Sequence, residues 1–402
     1  MQGIWMASSL RWVRFCGQHG KQWAGLLALV LSVTCLVQSP LAAAQRRPRA
    51  AEAPAFAAPA WIVVNPASGE VLSSQEPDRP GAPASMTKMM LALLVMEAVK
   101  DGQLKLTDPV QTSALASKMG GSQVYLKQGE AFPVEDMMAA LLIGSANDAA
   151  VALAERLAGD VQGAVARMND RAAALHLTHT HFASVHGLPP AAGQEGDVTT
   201  PGDMARLCQE LLKYPDILRW TGTLEAPFRQ ESFILRNSNH LIGRFSGADG
   251  LKTGHFHAAG YNVAATAKRG NLRLIAVVMG APTNAARFTE ATRLLSEGFA
   301  RYVDVTVVKA GASLGPDIRL PRAKAPFRAI ATADLKVSVK REDRDAIQTG
   351  MELQPGLRAP LAKGQPVGTL IARVKDREVG RAVAVAPHDI VRSLFWWLTP
   401  WR

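Results

Sequence analysis

Cysteine is scarce in this 402-residue sequence, which contains only Cys16, Cys35 and Cys208. The first two lie in an N-terminal segment with the features of a secretory signal, so the mature chain would keep Cys208 alone. A single cysteine excludes an intrachain disulfide even in an oxidising compartment. The fold must therefore be stabilised by its core, and hydrophobic residues make up 48% of the chain. A chain of this length is expected to form two domains.

The N-terminus has the three parts of a secretory signal. Basic residues precede an apolar run over residues 24–37, and the small residues Ala42 and Ala44 follow it. This arrangement predicts a signal peptide over residues 1–44 that is cleaved after Ala44, with an uncleaved anchor as the alternative. The Ala- and Pro-rich stretch over residues 45–57 is expected to be a linker.

Acidic residues are outnumbered by basic ones, 34 to 45, which gives a net charge of +11. The signal segment carries three of the basic residues and no acid, so +8 remains in the mature chain. Residues 303–402 contain 17 Lys and Arg against 10 Asp and Glu and account for +7 of it. For an exported protein this excludes nucleic acid as the expected partner and favours an anionic membrane surface or cell wall. The alternative is a solvated basic face.

The order of hydrophobic patterns predicts an α+β domain over residues 58–302. A strand–turn–strand pattern ("WIVV", "EVLS") comes first, and helical patterns follow as far as residue 175, with one interruption at Gly144 and Ser145. Three strand-like runs ("GLKTG", "YNVAATA", "RLIAVVM") and a helix ending near Tyr302 complete the domain. The N-terminal hairpin and the late strands are expected to share one antiparallel sheet against a helical subdomain.

The chain changes character after residue 302. Short β-like runs separated by Gly, Pro and charges predict a small all-β domain over residues 303–387. Residues 388–402 ("HDIVRSLFWWLTPWR") are expected to form an amphipathic helix whose apolar part is much shorter than the roughly 20 residues that span a bilayer. Three tryptophans suit the headgroup region, so this helix is interpreted as a membrane anchor. The alternative is a helix packed on the protein's own surface.

A serine and a lysine, Ser85 and Lys88, stand three residues apart where a helix is expected to begin. At this spacing both side chains lie on one face of the helix, and the helix start favours developing negative charge. A serine hydroxyl needs a base to become a nucleophile. Lys88 would serve if burial and a second cation lowered its pKa from about 10.4. Taken alone, the pair is interpreted more simply as a helix-capping serine beside an incidental lysine.

Two further patterns follow along the chain. Ser145 and Asn147 lie at the break between two helices, where a hydroxyl could relay a proton and an amide could orient a lysine and substrate. Lys252, Thr253 and Gly254 lie on the first of the late strands, where Gly254 would admit close backbone approach. The alternatives are a helix cap and a surface lysine on a strand.

Each of the three patterns occurs once, in the order that resembles the serine penicillin-recognising enzymes. With "SMTKMM", "SANDAA", "HFASVHGL" and "GLKTGHFHAAGYNVAATA", the chain resembles the D-alanyl-D-alanine carboxypeptidases, the low-molecular-mass penicillin-binding proteins. "LRAPLAKGQPVGTL" and the terminal aromatic segment resemble the β-rich domain and membrane anchor of that family's periplasmic members. The resemblance implies a β-lactamase/DD-peptidase-like catalytic fold, with a helical subdomain against a five-stranded antiparallel sheet.

The resemblance also implies roles for the catalytic residues. Ser85 would be the acyl-ester nucleophile and Lys88 its proton acceptor, while Ser145 and Asn147 would complete the second motif. No cofactor or metal is implied. The histidines between residues 176 and 186 have no carboxylate or cysteine at a usual ligand spacing and indicate a structural loop beside the cleft.

Five residues would bind the substrate according to the same resemblance. Lys252 and Thr253 would recognise its terminal carboxylate, and Gly254 would lie beside it. The backbone N–H groups of Ser85 and His255 would form the oxyanion hole. Arg287 corresponds to a family arginine near the carboxylate site.

The implied activity is removal of the terminal D-Ala from peptidoglycan stem pentapeptides through an acyl-enzyme, with β-lactams as inhibitors, at the periplasmic face of the inner membrane. An endopeptidase that cuts peptidoglycan cross-links would use the same motifs. A serine β-lactamase would also need a Glu-x-x-Leu-Asn pattern between the second and third motifs, which the chain lacks. A non-enzymatic wall-binding protein is the fourth possibility, against which the three intact motifs argue.

Overall fold

The computed structural model describes residues 60–393, and the first part of this range contains nine strands and seven helices. In chain order they are β1 (Ala60–Val64), β2 (Val71–Gln75), α1 (Lys88–Lys100), β3 (Pro109–Gln111), β4 (Ala131–Pro133), α2 (Val134–Leu142), α3 (Asn147–Ala158), α4 (Val161–Ala174), α5 (Pro201–Leu211), α6 (Pro215–Thr221), β5 (Glu225–Phe228), β6 (Phe233–Arg236), β7 (Ala248–Phe256), β8 (Gly260–Arg269), β9 (Leu272–Ala281) and α7 (Asn284–Arg301).

One antiparallel sheet organises this part, with strand order β2-β1-β9-β8-β7. The predicted five-stranded antiparallel sheet, which joins the N-terminal hairpin to the late strands, is therefore confirmed. Successive residues of β9 serve opposite faces: Ile275 and Val277 pack with the helical subdomain, whereas Leu274 and Ala276 pack with α7. Because both faces of the central strand are buried, "RLIAVVM" is apolar throughout rather than alternating.

The helical subdomain is built around α1, in which nine of the thirteen residues are buried. A helix that is apolar on all sides belongs in the interior of a domain. The predicted interruption at Gly144 and Ser145 separates α2 from α3. Helix α5 begins with a side-chain cap: the Thr200 side chain accepts a hydrogen bond from the Asp203 N–H, and Pro201 occupies the first turn. The short helix α6 and the two small hairpins, β3–β4 and β5–β6, were not predicted.

The all-β texture after α7 forms a second core. Its strands are β10 (Tyr302–Val308), β11 (Ser313–Ile318), β12 (Phe327–Ala331), β13 (Leu335–Lys340), β14 (Ile347–Leu353), β15 (Pro366–Val374) and β16 (Arg377–Val385). Strands β10 and β13 pair with each other, and a five-stranded sheet has the order β11-β12-β16-β15-β14. Alternating residues such as Val337 and Val339 of β13 fill the space between the sheets.

Polar contacts join the two parts near the end of β1. Asn65, which is 1% exposed, donates hydrogen bonds to the side chains of Ser338 and Asp304. Arg377 forms an ion pair with Glu70 at 2.6 Å. The β-rich part is therefore held against the hairpin β1–β2, although that hairpin is far from it in the sequence.

Three predicted segments lie wholly or partly outside the described residues: the signal peptide, the linker and the C-terminal helix. Residues 388–393 are described, and they are extended rather than helical, so the predicted helix does not begin at residue 388. Ile390 is 4% exposed and pairs with Leu361, because its side chain belongs to the β-domain core. Within residues 60–393, none of the helices combines the length and apolarity needed to cross a bilayer.

Candidate active site

Ser85 lies in a 3-10 turn, Ala84–Thr87, that leads directly into α1. The residues that cap this turn and α1 are Pro83 and Thr87, and neither makes a capping hydrogen bond through a side chain. Ser85 is therefore not the capping serine that the sequence left open. Ala84 has a φ of +49°, a strained conformation for a residue with a side chain. Such strain concentrates at functional sites, where the surrounding structure maintains it.

The amine of Lys88 is fully enclosed beside this serine. Its Nζ donates to Ser85 Oγ at 3.1 Å and to the carbonyl oxygen of His186 at 2.7 Å. Burial lowers the pKa of Lys88 well below its ordinary value, and the nearby charge of Lys252 lowers it further. Asp197 and Asp148 act in the opposite direction. The structure thus supplies both conditions for a neutral lysine, burial and a second cation.

The second and third motifs meet at Ser145. Lys252 Nζ donates to Ser145 Oγ at 2.9 Å and to the carbonyl oxygen of Thr253 at 3.1 Å. Burial, with a smaller contribution from the charge of Arg287, lowers the pKa of Lys252 to about 7. Ser145 itself has a φ of +58°, again an unfavourable backbone conformation at the site.

Asn147 is the first residue of α3, and a neighbouring loop holds its amide. Its Nδ2 donates to the carbonyl oxygen of Gly120 at 2.6 Å, and its backbone N–H donates to that of Ser122 at 2.7 Å. Its Oδ1 is buried and has no hydrogen-bond partner among the described residues. Buried carbonyl oxygens are normally paired, so this one is a candidate acceptor for a substrate N–H.

Strand β7 brings the third motif against the Ser85 turn. A Cβ on Gly254 would lie 2.2 Å from the carbonyl oxygen of Pro83, so only glycine permits this approach. The neighbour in this close contact is the backbone just before Ser85. Asn262 of β8 donates to the carbonyl oxygens of Ala82 and Pro83 and so ties the same segment to the sheet. The sheet thereby fixes the position of the serine.

The side chains around the third motif are mutually held. The hydroxyls of Thr253 and Ser238 are 2.6 Å apart. The His255 ring is stacked on Tyr261 with 3.7 Å between centroids, and its Nδ1 lies 3.0 Å from the carbonyl oxygen of Gly260. These contacts hold the His255 ring against strand β8.

Arg287 projects from α7 and is 6% exposed. It donates to the carbonyl oxygens of Gly254 at 3.1 Å and Asn262 at 2.9 Å, and to Asn284 Oδ1 at 2.6 Å. Burial lowers its pKa to about 10, so it remains a cation. Its guanidinium therefore contacts the main chain of β7 and β8, which places a positive charge close to the third motif.

The structure thus brings the nine predicted site residues to one region, and it adds three that the sequence analysis missed. Asn262 supports the Ser85 turn, Ser238 contacts Thr253, and Asp197 accepts a hydrogen bond from Thr87 at 2.9 Å. Asn262 lies inside the quoted run "YNVAATA", where an asparagine in an otherwise apolar strand was a usable signal. Asp197 lies in a loop without periodicity, where nothing distinguished it. Among residues 60–393, no three His, Cys, Asp or Glu side chains are grouped to hold a metal.

Two family models match the chain. That of peptidase S11, D-alanyl-D-alanine carboxypeptidase, matches residues 47–283, and that of the penicillin-binding protein 5 C-terminal domain matches residues 302–392. The D-alanyl-D-alanine carboxypeptidase DacF of Bacillus subtilis (strain 168) is 34% identical over 375 residues, which cover 92% of this chain and 95% of DacF.

Solved structures are also similar to this chain. Penicillin binding protein 5 from Haemophilus influenzae has a TM-score of 0.74 at 29% identity and covers 85% of this chain and 99% of its own. Penicillin-Binding Protein D2 from Listeria monocytogenes, in its ampicillin-bound form, has a TM-score of 0.55 at 32% identity and covers 60% of this chain and 96% of its own. The chain belongs to the peptidase S11 family and is a serine-type D-Ala-D-Ala carboxypeptidase, a low-molecular-mass penicillin-binding protein of peptidoglycan remodelling.

Proposed function

We propose that Ser85 is the nucleophile of this carboxypeptidase and that it removes the terminal D-Ala of stem pentapeptides through an acyl-enzyme. The observation that carries the proposal is the 3.1 Å contact between Ser85 Oγ and a fully buried Lys88 amine. Serine is a weak nucleophile unless an adjacent base takes its proton. A lysine whose pKa is lowered by burial and by Lys252 is suited to be that base.

The chemical sequence follows from this arrangement. Ser85 Oγ attacks the carbonyl carbon of the penultimate D-Ala while its proton passes to neutral Lys88. The backbone N–H groups of Ser85 and His255 stabilise the oxyanion. Collapse of the tetrahedral intermediate breaks the peptide bond, and the departing amine receives the proton that Lys88 took, relayed through the hydroxyl of Ser145, which accepts a hydrogen bond from Lys252 at 2.9 Å. Water then attacks the ester carbonyl and gives a proton to neutral Lys88, which returns it to Ser85 Oγ as the shortened peptide leaves.

The terminal carboxylate of the substrate is assigned to the third motif. Thr253 offers its hydroxyl directly, whereas Lys252 is 1% exposed and already donates to Ser145 and Thr253. Lys252 and Arg287 therefore act on the carboxylate mainly through their positive charges. An anion at this position favours protonated Lys252, and that charge in turn holds Lys88 in its neutral form. Asn147 Oδ1, buried and unpaired within the described residues, is assigned to a substrate N–H.

The test is D-Ala release from a purified pentapeptide by the wild-type mature chain and by Ser85→Ala. The proposal expects release from the wild type and none above background from the variant. Undiminished release by Ser85→Ala would overturn the assignment of the nucleophile. Thermal unfolding of both proteins serves as the control, because the variant removes one oxygen and should leave the fold intact.

Carboxypeptidase and endopeptidase reactions both cut a bond after D-Ala, so the same motifs serve either one. We assign the carboxypeptidase reaction as the principal one, in keeping with the family match over residues 47–283. Mass analysis of digested muropeptides distinguishes the two reactions. Conversion of pentapeptides to tetrapeptides is expected, whereas conversion of cross-linked dimers to monomers at a comparable rate would reassign the protein as an endopeptidase.

β-Lactams are proposed to acylate Ser85 and to form an acyl-enzyme that hydrolyses slowly. The ampicillin-bound form of the Listeria monocytogenes relative supports binding. Asp197 is a buried carboxylate near Lys88, but each of its oxygens accepts two hydrogen bonds, from Thr87, Ala183 and Ser184. With four donors its acceptor capacity is filled, so it is not free to activate water as a lactamase glutamate would. Penicillin turnover at tens per second would contradict this proposal.

We assign the catalytic domain to residues 58–302 and place the protein at the periplasmic face of the inner membrane. The β-rich domain is assigned to residues 303–393, which extends the range expected from the sequence, 303–387, by the segment that pairs with residues 323 and 361. The match of the second family model to residues 302–392 supports the boundary. Lys324 and Lys363 are exposed basic residues that lie close in sequence to the two residues paired with Arg392 and Ile390. They therefore lie near the point where the chain continues into residues 394–402. Such charges favour an anionic lipid surface.

Because residues 388–393 belong to the β-domain, the anchor is assigned to the tryptophan-rich segment after Ser393. A chain truncated after Ser393 is expected to lose its binding to vesicles that contain anionic lipid while it keeps D-Ala release. A truncated chain that sediments with such vesicles as well as the full mature chain would contradict the anchor.

A further inference from the structure

The loop beside the Ser85 turn is organised by Asp197, a carboxylate that is 7% exposed. Its Oδ1 accepts the backbone N–H groups of Ala183 at 2.7 Å and Ser184 at 2.8 Å. Its Oδ2 accepts the hydroxyl of Ser184 at 2.9 Å and that of Thr87 at 2.9 Å. Asp197 thus joins the loop over residues 183–187 to the residue that precedes Lys88.

That loop touches both partners of the catalytic pair. The carbonyl oxygen of His186 accepts a hydrogen bond from Lys88 Nζ at 2.7 Å. Gly187 lies so close to the Ser85 turn that a Cβ there would be 2.0 Å from the carbonyl oxygen of Ala84. Ser184 Oγ accepts a hydrogen bond from the N–H of Gly187 at 2.8 Å. Because Asp197 holds Ser184, this bond links Asp197 to the close contact between Gly187 and Ala84. Asp197 is therefore one of the anchors that fix the position of this loop.

We propose that Asp197 is a positioning residue for acylation: it holds the His186 carbonyl against the Lys88 amine and places a buried negative charge near that amine. The proposal rests on the assignment of Lys88 as the base. The first role is supported by the four hydrogen bonds of Asp197 and by the contacts that the loop makes with Lys88 and Ala84. The second role matters because a fixed anion near an enclosed amine favours its protonated form.

Four other groups face Lys88 and define its electrostatic surroundings. Lys252 on β7 disfavours the ammonium form, whereas Asp148 on α3 favours it. His186 is held neutral, because burial first and the charge of Lys88 second lower its pKa to about 4. Ser85 contributes a hydroxyl and no charge. Asp197 is therefore one of two anions that raise the pKa of Lys88, against the lowering by burial and by Lys252.

The test is the pH profile of acylation by a fluorescent penicillin, measured with the full mature chain. Asp197→Asn removes the charge and keeps the shape, so Lys88 should lose its proton at lower pH. The acid limb of the profile is expected to move down by about 1 pH unit, the lower end of the effect of a close opposite charge. The maximum rate should fall as well, because an amide cannot accept four hydrogen bonds.

Two further variants separate charge from structure. Asp197→Glu keeps the charge and disturbs the geometry, so acylation should slow while the acid limb stays in place. Ser184→Ala removes three hydrogen bonds from the loop without changing any charge, and it should likewise slow acylation without moving the acid limb. Thermal unfolding of each variant shows whether it is folded like the wild type.

Two results would overturn the proposal. If folded Asp197→Asn acylates with an unchanged acid limb, the charge does not set the pH at which Lys88 acts. If Asp197→Asn and Ser184→Ala both keep the wild-type maximum rate, the loop contacts do not position the base. Loss of acylation in Ser85→Ala tests the nucleophile independently, so failure of this proposal and failure of the proposed function are distinguishable.

Discussion

Replacement of Gly254 by alanine is the substitution whose effect on catalysis the structure predicts most directly. The added Cβ would lie 2.2 Å from the carbonyl oxygen of Pro83 and 3.2 Å from the Met86 nitrogen. Cβ contacts essentially never fall under 3.0 Å, and both neighbours are backbone, so strand β7 and the Ser85 turn must move apart. The required separation is close to 1 Å, a displacement that can cost about 10²-fold in rate when it misaligns reacting groups.

The measurement is the second-order rate constant of acylation by a fluorescent penicillin. Gly254→Ala is expected to lower this constant about 10²-fold, since the turn carries Ser85 while β7 carries Thr253 and the backbone of His255. Gly350→Ala is the matched control, because a Cβ added to this strand glycine would have no atom within 4 Å, and the variant should acylate as the wild type does. Acylation by Gly254→Ala within about threefold of the wild type would refute the claim that this close contact aligns the site.

Three further predictions concern buried groups and are tested by stability or by thiol reactivity. Asn65→Ala should lower the free energy of unfolding by about 2 kcal/mol in urea titrations, because Ser338 and Asp304 lose a buried donor. Burial raises the pKa of the Cys208 thiol, so the folded mature chain should resist a thiol reagent until denaturant is added. Lys252, with its pKa lowered to about 7, is protonated in the unfolded chain and neutral in the folded one between pH 7 and 10. The free energy of unfolding of the wild type should therefore rise with pH through this range, by about 1.4 kcal/mol per pH unit more than that of Lys252→Met. Equal pH slopes for the two proteins would contradict the lowered pKa of Lys252.

The sequence was most informative where local chemistry and long-range structure agree. The break at Gly144 and the start of α5 at Pro201 follow from residues that end or begin helices in any context. The run "RLIAVVM" predicted a strand, and the structure explains its composition, since both faces of this strand are covered. The motif residues were found because their types and spacing are restricted by their chemistry.

The sequence was least informative where function depends on contacts between distant segments. The four hydrogen bonds of Asp197 come from residues on two other parts of the chain, and no local pattern reports them. The hairpin β5–β6 has a turn of charged and polar residues with positive φ, without the glycine that usually signals one. Residues 388–393 were predicted to be helical from their periodicity, but pairing with residues 323 and 361 holds them extended. In each case tertiary contacts decided the outcome.

The measurement that tests the account most directly is the site and lifetime of the penicillin adduct. The mature chain is incubated with a labelled penicillin and digested, and its peptides are analysed by mass spectrometry while D-Ala release from a pentapeptide is measured in parallel. The account predicts one adduct per chain on the peptide that contains Ser85, with D-Ala release blocked for as long as the adduct persists. An adduct on another residue, or D-Ala release that continues while Ser85 is fully acylated, would contradict it.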